Sequence, residues 1–185
     1  IDLLPTFLEI TGIKRPSQLD GRSLLPLFKG KAQENRDYVF TQIDKKAGDA
    51  AVPMRAVQNK KFVYIYNAFK QQDRYRNNNE GLTMKAMVAA AKKDKDIAAR
   101  IKHFRHRVAE EFYDIEKDPD CLVNLINNPE YNAAIARLRK KLGAHMASTH
   151  DPILEAFENR TDRLIVDKVI IKTYGKIKKS KRSKK

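Results

Sequence analysis

The 185-residue chain has a single cysteine, Cys121. One thiol can form neither an internal disulfide nor a cysteine-based zinc site, so neither device holds this fold together. No apolar run approaches the roughly 20 residues that a membrane-spanning helix needs. There is no Walker-type phosphate loop, no G-x-S-x-G elbow and no G-x-G-x-x-G fingerprint. The familiar sequence marks of nucleotide-driven transfer, serine hydrolysis and dinucleotide chemistry are therefore missing. The opening Ile1-Asp2-Leu3-Leu4 has neither an initiator methionine nor a basic segment ahead of an apolar stretch. The expectation is a chain that starts mid-protein or after processing.

Positive charge, in contrast, is plentiful. The formal net charge is +15, and eight basic residues lie between Lys172 and Lys185 with no acid among them, which leaves +7 on the rest. Such a run attracts phosphates, sulfates and anionic lipids without specificity, and its plainest reading is a solvated tail. Hydrophobic residues make up 42% and charged residues 33%, enough for a modest core in one domain with appendages.

Periodicity predicts a helix over 2–13, with Asp2 as its cap, Leu4, Phe7, Leu8 and Thr11 at helical spacing, and Gly12 as its stop. Ser23 is placed to cap a short helix through Phe28, ended by Gly30. Strands are expected at 37–43, 52–58, 61–67 and 111–115, with Asn59-Lys60 as a two-residue hairpin turn. Residues 71–81 read as a polar loop. Residues 82–108 read as two helices broken near Asp94. Asn128-Pro129 starts the clearest helix, with Tyr131, Ile135, Leu138, Leu142 and Met146 in one stripe. The strand-prone Leu164, Val166, Val169 and Ile171 suggest a further strand over 164–174. These elements make an α+β module: a small antiparallel sheet of about four strands, with helices packed on one face.

Taken on the residues alone, nothing assembles a catalytic centre. His103 and His106 share a helix face, but lie among Lys102, Arg105 and Arg107, which would repel a cation. His150-Asp151 is an adjacent pair that seldom faces one another. Glu116, Asp118 and Asp120 lack the glycine and distal glutamate of a calcium loop and read as a turn. Phe62, Tyr64 and Tyr66 beside Lys60 and Lys61 have the look of a base-stacking surface, although alternating aromatics on a sheet are more often core. The reading this leaves open is a stand-alone basic module binding nucleic acid or anionic glycans.

Several segments in series change that picture. Asp2-Leu3-Leu4-Pro5-Thr6, then Leu19-Asp20-Gly21-Arg22-Ser23-Leu24-Leu25-Pro26, then Glu111-Phe112-Tyr113-Asp114 with Lys117-Asp118-Pro119 and Asn124-Leu125, appear in this order. They resemble the C-terminal portion of type I sulfatases of the alkaline phosphatase superfamily. Pro53-Met54-Arg55-Ala56-Val57-Gln58, the strand 61–67 and Thr149-His150-Asp151-Pro152 are similar to the heparan N-sulfatase (sulfamidase) branch. Cys121 departs from the pattern, where an acid is usual.

The resemblance implies a formylglycine nucleophile, made within C-x-P-x-R, and a calcium ion on the sulfate oxygens. Both are expected upstream of Ile1, in a missing N-terminal catalytic domain. No catalytic residue and no metal ligand is therefore expected in this chain, and the fragment alone is expected to be inactive. The implied division is 1–30 as the end of the catalytic α/β domain, 31–152 as the C-terminal subdomain, and 153–185 as a basic, partly disordered tail. The implied substrate is a sulfated glycan or small sulfated compound, with nucleic acid an improbable partner. A phosphoester or phosphonate hydrolase of the same superfamily is a further reading that only the upstream nucleophile would separate. The family's habit is periplasmic, extracellular or lysosomal. Gln42, Asp44, Lys45 and Lys46, after the strand holding Tyr38 to Thr41, are the expected pocket-rim residues. Arg55 has two readings, a structural ion pair and a contact with an anionic sugar.

Overall fold

The computed structural model describes residues 1–45, 51–69 and 81–175. The expected loop over 71–81 lies outside these residues apart from Gly81, and so does the basic run from Lys176 onward. The chain divides into two compact units, Ile1–Asp37 and Tyr38–Lys185.

In the first unit, α1 (Leu3–Ile10) and α2 (Leu25–Phe28) are joined by a loop. Asp2 does not cap α1. Its carboxylate accepts the Arg22 backbone N–H at 2.8 Å and the Arg36 guanidinium at 2.6 Å. Thr6 Oγ1 likewise accepts the Leu24 N–H at 2.9 Å. The two sequence motifs thus stitch a helix to a distant loop. Gly21 shows why the stitch needs glycine: a Cβ there would stand 2.1 Å from the Ile1 carbonyl oxygen. At the end of α1, Gly12 has φ +68°, and the Gly12 and Ile13 N–H groups return to Glu9 and Leu8 in a Schellman closure.

The second unit is built on a four-stranded antiparallel sheet in the order β1-β2-β3-β4. The strands are β1 (Val39–Lys45), β2 (Ala51–Gln58), β3 (Phe62–Asn67) and β4 (Glu110–Asp114). The hairpin between β2 and β3 uses three residues, not two. Asn59 donates its N–H to Phe62, while its side-chain oxygen accepts from the Lys61 and Phe62 amides. Between β3 and β4 come α3 (Leu82–Ala90) and α4 (Lys95–Arg105), the latter capped by Asp94, as the break near that residue implies.

Register places Phe40, Val57, Tyr64 and Phe112 side by side on one face. Against that face pack α5 (Asn132–Ser148), α6 (Leu154–Glu158) and α7 (Arg163–Tyr174). The α5 stripe Ile135, Leu138, Leu142 and Met146 is sealed, and each such side chain contributes about 1.5–3 kcal/mol of burial. Tyr64 and Tyr66 are equally buried. Both belong to the core, so these two rings are not exposed for stacking on a base. The segment expected as a strand over 164–174 is the helix α7. Val166, Val169 and Ile170 fall at i, i+3 and i+4 and bury one helical stripe, and Asp162 caps the first turn with both the Leu164 and Ile165 amides. Packing on the core outweighs the β-propensity of the branched side chains.

Beyond β4, Asn124 works as a substitute strand. Its side-chain Oδ1 accepts the Phe112 and Ile126 backbone N–H groups, and its side-chain Nδ2 donates to the Glu110 carbonyl. Asp118 Oδ2 accepts the amides of Leu122 and Val123, which makes the acidic segment a turn.

Candidate functional site

The expected rim residues sit at the outer end of β1. Strand alternation and pairing put Gln42 opposite Arg55, and Gln42 and Lys45 are exposed. Lys46 lies outside the described residues. Asp44 is partly exposed, but its carboxylate is engaged: Oδ1 meets Arg55 Nη1 at 2.7 Å and accepts the Tyr174 hydroxyl at 2.5 Å.

Arg55 rises from the middle of β2 and is 3% exposed. Its Nε and Nη2 form a two-pronged pair with Asp151, at 2.5 and 3.0 Å, and Nη1 also donates to the Met54 and Ile43 carbonyls. Asp151 is itself buried and accepts the Ile153 N–H with the same carboxylate. Burial works against the charge on Arg55, but hydrogen bonds to Asp151 and Asp44 outweigh it, and its pKa lies above the ordinary arginine value. Two carboxylates flank one guanidinium here. The cluster therefore carries net negative charge and holds strand β2 to the loop after α5. His150, the sequence neighbour of Asp151, is exposed with φ +52° and makes no pair with it.

Two further carboxylates, the partly buried Glu110 and the buried Glu111, follow the same logic. Glu110 takes Arg139 at 2.7 Å, Arg160 at 3.1 Å and the Tyr64 hydroxyl at 2.5 Å. Glu111 takes Arg107 at 2.8 Å, the Tyr113 hydroxyl at 2.7 Å and the Asn67 amide at 2.8 Å. His103 of α4 lies 3.3 Å from the Tyr113 hydroxyl and edge-on to its ring. Lys61, beside the aromatic strand, is half exposed and 3.4 Å from Glu116.

Sequence reasoning singled out Asp44 and Arg55 but not the partners that hold them. Asp151 was visible as the neighbour of His150 and within the Thr149–Pro152 resemblance, but not as a partner of Arg55. Tyr174 carried no signal, since its segment read as a strand.

Relatives match the chain in sequence and in fold. The family model described as N-sulphoglucosamine sulphohydrolase, C-terminal, matches residues 1–103. The chain belongs to that family. An ulvan-active sulfatase of Formosa agariphila is 33% identical over 156 residues, covering 83% of this chain and 30% of the relative. Among solved structures, a 2-O GAG sulfatase superposes with a TM-score of 0.54 at 22% identity, over 90% of this chain and 28% of that one. A second, described as in complex with its substrate D-glucosamine-2-N,6-O-disulfate, gives 0.54 at 18% identity, over 81% of this chain and 24% of that one. The chain thus spans about a third or less of the proteins it matches. At these identities the structures show a shared fold alone.

The sulfatase C-terminal family brings an expectation of formylglycine and calcium. No group of three His, Cys, Asp or Glu side chains among them is arranged to hold a metal. The carboxylates of Asp44, Asp151, Glu110 and Glu111 are each taken by arginine. Cys121 stands in Cys-Leu-Val-Asn-Leu rather than C-x-P-x-R, and burial, with Asp118 nearby, pushes its thiol pKa up, away from a reactive thiolate. The described residues do not fit either group.

Proposed function

We propose that these residues are the C-terminal subdomain of a sulfatase that hydrolyses sulfate esters or N-sulfate groups, acting on sulfated glycans. The observation that carries the reading is the family match over 1–103, in which the matched Asp2, Thr6 and Gly21 have definite structural work. The formylglycine and calcium would belong to a preceding catalytic domain. The apolar side chains Leu3, Leu4, Phe7 and Ile10 of the first unit are 52–62% exposed, which suits a surface that another domain covers. An N-sulfatase specificity follows the family description. Placement outside the cytoplasm follows the family's habit.

In this reading Gln42, Lys45 and Lys46 line the rim of the substrate pocket, while Asp44 and Arg55 hold that rim in place. An ammonium group at Lys45 would meet a sulfate or uronate oxygen of the glycan. The test is steady-state kinetics of the complete enzyme with Lys45→Ala and Lys46→Ala on a sulfated oligosaccharide. Loss of one charge-assisted contact lowers kcat/KM by about tenfold or more. Unchanged kinetics in both variants would remove these residues from the rim.

A further inference from the structure

We infer that Tyr174 is a positioning residue: its hydroxyl, acting through Asp44, holds the outer end of β1 and sets where Lys45 stands. The consequence for a glycan substrate rests on the rim reading above; the positioning itself rests on geometry alone.

Strand β1 is an edge strand, and among the described residues β2 is its one strand partner. Its ladder is regular from Val39↔Gln58 to Ile43↔Met54, then slips, so that Lys45 faces Ala51. Across the slip, Val52 and Pro53 stand against the single residue Asp44, and Pro53 has no N–H to give the ladder. Backbone pairing therefore weakens just before Lys45, and side chains have to supply the hold. Asp44 does so with one oxygen, Oδ1, which takes both Arg55 Nη1 and the Tyr174 hydroxyl. Each donor is anchored elsewhere. Arg55 is fixed by its two-pronged pair with Asp151. Tyr174 is the last residue of α7, whose Val166, Val169 and Ile170 are buried in the core, and its own ring packs against that core. The end of the strand is thus tied to two rigid bodies, the α5–α6 loop and α7. Helix α7 lies beyond the 1–103 family match, so this tie is made by a part of the chain that the match does not cover.

Tyr174→Phe removes the hydroxyl while keeping the ring, so the core contact persists and the fold is retained. Hydrogen exchange on the complete protein is the deciding measurement. Loss of a hydrogen bond to a carboxylate predicts about tenfold faster exchange in a peptide covering Gln42–Lys45, with β3 peptides unchanged. Unchanged exchange at Gln42–Lys45 would overturn the assignment, whatever the kinetics show. The same variant is then assayed on an N-sulfated heparin disaccharide. A KM raised several-fold with kcat nearly constant extends the positioning role to substrate. Faster exchange with an unmoved KM keeps Tyr174 as the residue that sets β1 and sinks the rim reading instead.

Discussion

Replacing Arg55 by methionine is the sharpest perturbation of the second unit. The arginine is 3% exposed and the Asp151 side chain 5%, so their pair is effectively dry, whereas Asp44 is 37% exposed and its arm is partly solvated. In Arg55→Met, Asp151 keeps, among the described residues, the Ile153 amide as the side-chain partner for its buried charge. Breaking one side of a buried pair costs about 3–5 kcal/mol, and the solvated Asp44 arm adds about 0–1 kcal/mol. The double variant Arg55→Met/Asp151→Asn removes both charges, keeps an acceptor for Ile153, and should recover about 2–3 kcal/mol of that loss as a coupling energy. Urea unfolding followed by far-ultraviolet circular dichroism reads both numbers from the midpoint at constant slope. A loss below about 1 kcal/mol in Arg55→Met, or strict additivity in the double variant, would show that the pair is not the dry strut described here.

Three further outcomes follow from the same geometry. Gly143→Ala in α5 would ordinarily gain about 0.5–1 kcal/mol, but the new Cβ meets Phe157 Cε1 at 3.2 Å and that ring is buried, so a net loss of about 1–2 kcal/mol is expected in urea unfolding. Gly21→Ala places a methyl group 2.1 Å from the Ile1 carbonyl oxygen and displaces the Asp2–Arg22 stitch; limited proteolysis should cut faster within residues 1–37. Burial, reinforced by its bond to Asp44, pushes the Tyr174 pKa up to about 12. A phenol raised above its unfolded value of roughly 10 contributes stability that is complete below that pH and is lost as pH climbs through about 12. Tyr174→Phe should flatten that alkaline decline, and unfolding midpoints between about pH 9 and 12 would measure it.

The α+β frame was legible wherever local signals agreed with burial. The Asn128-Pro129 start and the 3.6-residue stripe of α5 agree with one another, and the aromatic alternation of β3 points the same side chains into the core. Helix α7 was misread because branched residues prefer strands locally, and only a core that accepts Val166, Val169 and Ile170 together makes the helix the better solution. Asp2 was misread as a cap for a related reason. Its partners, Arg22 and Arg36, are distant in sequence, and local rules see only the nearby amides. At the candidate site, Asp44 stood out by its place after a strand, and Arg55 by the 53–58 segment that carries the resemblance. Their pairing with Asp151 and Tyr174 spans 96 and 130 residues, a separation at which periodicity and propensity carry no information.

The most direct test of the sulfatase assignment is the nucleotide sequence immediately upstream of the Ile1 codon. The account predicts an open frame that encodes C-x-P-x-R or S-x-P-x-R together with an Asp and Asn metal pair. A frame that closes within a few codons would contradict it and leave a basic binding module as the reading to pursue.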